Sequence, residues 1–144
     1  MNLPEEHAAS LRAIGYLLDS CGARRIAVEE KPDGVSVSWN DGPYKVARYP
    51  WGELGELQRV ALANRTAEQS SRQTFTGHTA WSELLRTLGQ DLDQRQAAFS
   101  VITGDLNWLT ASWTANGHYS THQYTTAELW EASARRAAAR RAYA

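Results

Sequence analysis

The sequence predicts an α+β fold: a tandem duplication of an α-β-β-β-α unit, with two antiparallel three-stranded sheets packed or joined about a pseudo-twofold axis. Three observations predict it. The first is self-similarity, the signal to seek before any other. Residues 11–39 laid over 85–113 coincide at Leu11/Leu85, Arg12/Arg86, Gly15/Gly89, Leu18/Leu92, Asp19/Asp93, Ala23/Ala97, Ser38/Ser112 and Trp39/Trp113. After one inserted residue near Asn116, residues 42–67 match 117–142 at nine further places, which makes 17 identities over 55 positions. The second is punctuation, with Gly42/Gly117, Tyr44/Tyr119 and Tyr49/Tyr124 recurring at equivalent turns and strands. The third is that apolar spacing changes in each half from a helical period to alternation.

Each element follows from local chemistry. Asn2 with Glu5 fits a capping box and Pro4 a first helical turn. Leu11, Ile14, Leu18 and Cys21 then recur at helical spacing, and Gly22 is a natural stop. Ile26-Ala27-Val28 opens a strand, and Pro32-Asp33-Gly34 turns it. Val35, Val37 and Trp39 alternate with Ser36 and Ser38, which predicts a strand with one buried face. Asn40-Asp41-Gly42-Pro43 makes the next turn, Tyr44 to Tyr49 the third strand, and a helix is expected from Trp51 to Arg65.

The second half replays the order. Trp81, Leu84, Leu85, Leu88 and Leu92 form a helical stripe. Phe99 to Ile102, Trp108 to Trp113 and Tyr119 to Tyr124 read as strands, and Thr125-x-x-Glu128 as the capping box of a last helix reaching Arg141. The expected organisation is a first repeat over 1–66, a linker rich in Ser, Thr and Gln over 67–78, and a second repeat over 79–144, the two repeats forming one compact domain.

Composition narrows the function. Fifteen basic against sixteen acidic residues give a net charge of −1, which argues against a protein built to coat nucleic acid or an acidic membrane. Cys21 is the only cysteine, so no disulfide framework or Cys-rich zinc module is expected. No apolar run or leader pattern points to a membrane or to export, so the expected location is the cytoplasm. Phosphate-loop, dinucleotide, HExxH and GxSxG signatures are all missing, so no catalytic residue, cofactor or metal is expected.

Candidate chemistry is sparse. His118 and His122 would share one face of a strand, but roughly 13 Å apart, too far to ligate one ion. Cys21 falls near a helix C-terminus, which does not activate a thiol. Glu53/Glu128 and Glu56/Glu131 suit first-turn capping. Asp19/Asp93 sits near a helix C-terminus, an unfavourable place for a carboxylate, and is expected to have a partner, either Arg12/Arg86 across the repeats or a turn amide.

Two features carry functional content. If Val35, Val37, Trp39, Leu109, Ala111 and Trp113 face the core, the opposite face is polar in the first half, through Ser36 and Ser38. In the second half that face is apolar through Trp108, Phe99 and Val101. It is expected to be a contact surface, unless the first repeat or the linker near Phe75 covers it. Arg135, Arg136, Arg140 and Arg141 make the last helix locally basic and are candidate phosphate contacts.

The αβββα order resembles that of double-stranded-RNA-binding domains and of small secretion-chaperone-type domains, and the likeness is one of element order. The first family contacts phosphates with lysines at the start of its second helix. Pro50-Trp51-Gly52-Glu53 and Thr125-Thr126-Ala127-Glu128 stand there instead, with an acid in each. The second family uses such sheets and helices to pair and to hold partner segments.

The expected function is a small non-catalytic binding or regulatory protein, adaptor- or chaperone-like. It would be monomeric or a homodimer, and would hold a protein or peptide partner on a sheet face or inter-repeat groove. Phe99, Val101, Trp108, Tyr119 and Trp130 are the candidate contacts. The alternatives are nucleic-acid binding through the arginine helix and an enzyme of unknown class.

Overall fold

The computed structural model describes residues 7–40, 43–53 and 81–142, with side chains to Arg135 in the last stretch. In chain order these form α1 (His7–Cys21), β1 (Arg25–Lys31), β2 (Gly34–Asn40), β3 (Tyr44–Pro50) and a single 3₁₀ turn (Trp51–Glu53). Then come α2 (Trp81–Gln94), β4 (Ala98–Asp105), β5 (Trp108–Ala115), β6 (His118–Thr125) and α3 (Thr126–Ala142). The expected capping box at Asn2, the helix after Glu53 and the linker at 67–78 lie outside the described residues.

Of the two arrangements expected, packed or joined, the sheets are joined edge to edge, so the structure has one sheet and not two. The six strands form one antiparallel sheet in the order β3-β2-β1-β4-β5-β6. The join is between β1 and β4, where Arg25 to Glu29 pair with Asp105 to Val101. Pairing these two strands hides two edges that separate sheets would leave open, so only β3 and β6 remain at the margins.

Alternation sends Ile26, Val28, Val35, Val37, Trp39, Ile102, Leu109, Ala111 and Trp113 to one face, where all are buried. Against that face pack α1 and α2 through Leu11, Ile14, Leu18, Trp81, Leu84, Leu85, Leu88 and Leu92. The helices run antiparallel and very close. A Cβ on Gly15 would stand 2.4 Å from the Ser82 Cα, and one on Gly89 2.7 Å from the Ala8 Cα. Glycine at both points lets the backbones touch.

Asp19 and Asp93 have the expected partner, and it includes backbone amides of the other helix. The Trp81 and Ser82 amides donate to Asp19 at 2.5 and 3.1 Å, and the His7 and Ala8 amides to Asp93 at 2.6 and 3.1 Å. Each carboxylate at the end of one helix caps the start of the other, which offsets its unfavourable place on its own helix. Both helices end in the same motif: Ala23 N–H donates to Leu18 O and Gly22 N–H to Asp19 O, while Ala97 donates to Leu92 O and Gln96 to Asp93 O. The left-handed residue is glycine in the first (φ 67°) and Gln96 in the second (φ 55°). The Thr125–Glu128 capping box forms as expected, with reciprocal bonds of 2.9 and 3.1 Å.

Candidate binding face

Helices cover one face of the sheet; among the described residues nothing packs on the other. That open face is built from the residues that alternate with the core: Ala27, Ser36, Ser38, Thr103, Thr110, Ser112 and Thr114, with Tyr44 and Val46 on β3 and Tyr119 and Thr121 on β6. The centre is mostly small and polar, with Glu29 on β1 and Val101 on β4 as its larger side chains. The apolar bulk stands towards its margins, with Tyr44 70% exposed, Val46 52%, Trp108 49% and Tyr119 73%.

Placement revises the expected contact patch. Val101 is half-buried mid-sheet, opposite Ser112. Phe99 is exposed at a bulge, with φ 54°, where the β4–β5 register shifts. Trp108 begins β5 opposite Thr125, whereas Tyr119 lies opposite Thr114 near its other end. Six residues of strand separate them, about 20 Å. Trp130 packs against the core instead. The five residues therefore do not form one cluster. The expected asymmetry is also smaller than the sequence implied, because Tyr44 and Val46, which the alternation of β2 alone did not reveal, add apolar surface to the first half.

A groove of about 440 Å³ opens at the Tyr44 end of this face, lined by Arg25, Ala27, Ser38, Asn40, Tyr44, Thr103 and Asp105 among others. Tyr44, Asn40, Arg25 and Asp105 are register partners across four strands, and Trp108 follows at the start of β5. The Asp105 carboxyl accepts the Asn107 and Trp108 amides at 2.8 and 3.1 Å. Those two bonds, with the Arg25 charge, hold its pKa below the usual range. A cation, an anion and an amide thus line one groove, with an aromatic ring at its wall and an indole at the end of the same row. That combination suits mixed polar and aromatic contacts with an extended peptide or a protein surface. At the far margin, the Ser112 and Thr121 hydroxyls (3.1 Å apart) draw the Tyr119 pKa below its ordinary value.

One polar cluster escaped the sequence reading. His7 is buried, with Nδ1 3.0 Å from Asp93 and Nε2 2.7 Å from the buried Glu30. Ser100, also buried, donates to Glu30 at 2.9 Å. Burial alone would lower the His7 pKa, but the Glu30 and then the Asp93 carboxylates outweigh it, and the net shift is upward. Its sequence signal was register: Glu30 follows Ile26 and Val28 on the core-facing side of β1, a place where a carboxylate requires a partner. At the other end of the helix pair, 74 residues on, Trp81 takes the place of His7 and its indole donates to Ala23 O at 2.8 Å. The serine donates to a carboxylate and does not touch the histidine, so this is a staple between α1, α2 and the sheet rather than a nucleophile and its base.

The remaining candidates are apart from one another. His118 and His122 are exposed on the outer strand, and Cys21 is half-buried against the core. Arg135 pairs with Glu131 at 3.0 Å on an exposed helix face. The side chains of Arg136, Arg140 and Arg141 lie outside the described residues. Among the described residues no three His, Cys, Asp or Glu side chains are arranged to hold a metal ion, and no helix is long and apolar enough to cross a membrane. No protein-family model, curated protein or solved structure matches the chain.

Proposed function

We propose that this chain is a small, non-catalytic binding protein of the cytoplasm that arose by tandem duplication of an αβββα unit and holds a protein or peptide partner on its open sheet face. The observation that carries the reading is the segregation of exposed apolar bulk. Tyr44, Val46, Trp108 and Tyr119 all project from the one face that the described helices leave bare. The groove between Tyr44 and Asp105 is the expected centre of contact. The duplication is supported by matched contacts at residues 74 apart: the exchanged caps of Asp19 and Asp93, the close approaches at Gly15 and Gly89, and the shared helix endings.

The test is capture by the immobilised full chain from its source lysate, with nuclease present, followed by affinity measurement with the captured protein. Trp108→Ala and Tyr44→Ala are each expected to weaken binding by about 2 kcal/mol, roughly 30-fold, if these rings are anchors. Unchanged affinity in both folded variants would refute the reading. Recovery that disappears with nuclease and falls steeply with salt would move the function to the arginine helix.

A further inference from the structure

The two sheet edges are not alike. β3 carries Lys45 and Arg48 and ends in Pro50, the charges and ring by which proteins blunt an edge against further pairing. β6 reads His-Tyr-Ser-Thr-His-Gln-Tyr-Thr, eight residues with no Lys, Arg, Asp, Glu, Pro or Gly. Tyr119, Thr121, His122 and Gln123 are exposed, and among the described residues nothing pairs with the strand's outer side.

Backbone geometry fixes which groups face outward. Ala115 pairs with His118 across a two-residue turn, Asn116-Gly117, with φ 53° and 78°. Such a turn makes the flanking residues a hydrogen-bonded pair. His118, Ser120, His122 and Tyr124 therefore bond inward to β5, and alternation turns the N–H and C=O groups of Tyr119, Thr121, Gln123 and Thr125 outward. The Thr125 amide agrees, since the Glu128 carboxylate outside the ladder takes it. Among the described residues, three are left with unpaired outward donors and acceptors: Tyr119, Thr121 and Gln123.

We propose that β6 is a pairing edge for a second copy of this chain, antiparallel and centred on Thr121. In that register Thr121 faces the second copy's Thr121, and Tyr119 faces its Gln123. All three outward residues on each side then exchange both of their hydrogen bonds. A twofold axis perpendicular to the sheet keeps the helices of both copies on one side, merges the two open faces, and sets Ser120 opposite the second copy's His122. Charge selects the occupant: two β6 strands bring no like charges together, whereas two β3 strands would gather four cations, Lys45 and Arg48 of each copy, along one seam. A β6–β3 contact would leave free edges and grow filaments; the β6–β6 contact closes as a dimer. The inference does not depend on the partner-binding reading, because its test contains no partner.

The oligomeric state of the full chain is measured by light scattering over roughly 1–200 µM, the range suited to a small interface. A concentration-dependent dimer is expected. Thr121→Lys, which puts two ammonium groups at the axis, is expected to be monomeric throughout with an unchanged far-UV spectrum, while Val46→Lys on β3 still dimerises. Thr121→Cys in a Cys21→Ser background is expected to form a disulfide-linked dimer on mild oxidation, and Val46→Cys is not. A wild-type chain that stays monomeric over the whole range overturns the proposal, as does cross-linking at Val46 that matches or exceeds that at Thr121. Should Thr121→Lys not fold, the cysteine pair decides.

Discussion

Removing the Asp93 carboxylate perturbs two structures at once. It caps α1 through two backbone amides, and it also faces the buried His7 ring at 3.0 Å. Loss of a cap costs about 1 kcal/mol, and loss of a charge-assisted bond to a buried group about 1.5–3 kcal/mol. Asp93→Ala is therefore expected to cost about 3 kcal/mol, roughly a 10 °C fall in melting temperature for a domain of this size. Only the cap should remain at risk once the ring is gone, so in a His7→Gln background the same change is expected to cost about 1 kcal/mol. The assay is a double-mutant cycle in urea at pH 6, followed by far-UV circular dichroism. A coupling of about 1.5–2 kcal/mol is expected. If the two substitutions add to within about 0.5 kcal/mol, Asp93 acts as a cap alone and the staple has no energetic meaning.

Two further outcomes follow from the same geometry. The native His7 pKa lies above its unfolded value near 6.5, with Glu30 from β1 and Asp93 from α2 as the charges that face it. Its stabilisation is thus complete below about pH 6.5 and fades as pH rises through the raised native value. The wild-type urea midpoint should fall over that interval, and the His7→Gln midpoint should not; parallel curves would remove His7 from the account. Gln96 closes α2 with φ 55°, where α1 uses Gly22, so Gln96→Gly is expected to raise stability by about 1 kcal/mol. A lower melting temperature would mean that the Gln96 side chain contributes more than the backbone strain costs.

Much of the local structure was legible in the residues. Leu84, Leu85, Leu88 and Leu92 marked a buried helical stripe, Val35, Val37 and Trp39 a half-buried strand, and Thr125-x-x-Glu128 a helix start. Each signal is a period or a spacing that one element imposes on its own side chains. The candidate binding face was legible in part. The alternation of β5 placed Trp108 opposite Leu109, but the contribution of Tyr44 depended on how β3 docks against β2. The distance between Trp108 and Tyr119 followed from strand direction, which residue types do not encode.

What the chain by itself determined is the set of elements, their apolar faces and the recurrence of residues 74 apart. Only the tertiary structure decided that β1 and β4 pair to make one sheet, that Asp19 and Asp93 cap each other's helices, and that Glu30 meets His7. The reason is physical. A helix or strand must bury its own apolar side and satisfy its own backbone, so its sequence records that requirement locally. Which edge meets which, and which carboxylate reaches which amide, depends on groups brought together across as many as 86 residues of chain. Their sequence neighbours show at most that a partner is required, as at Glu30, Asp19 and Asp93, and not which group supplies it.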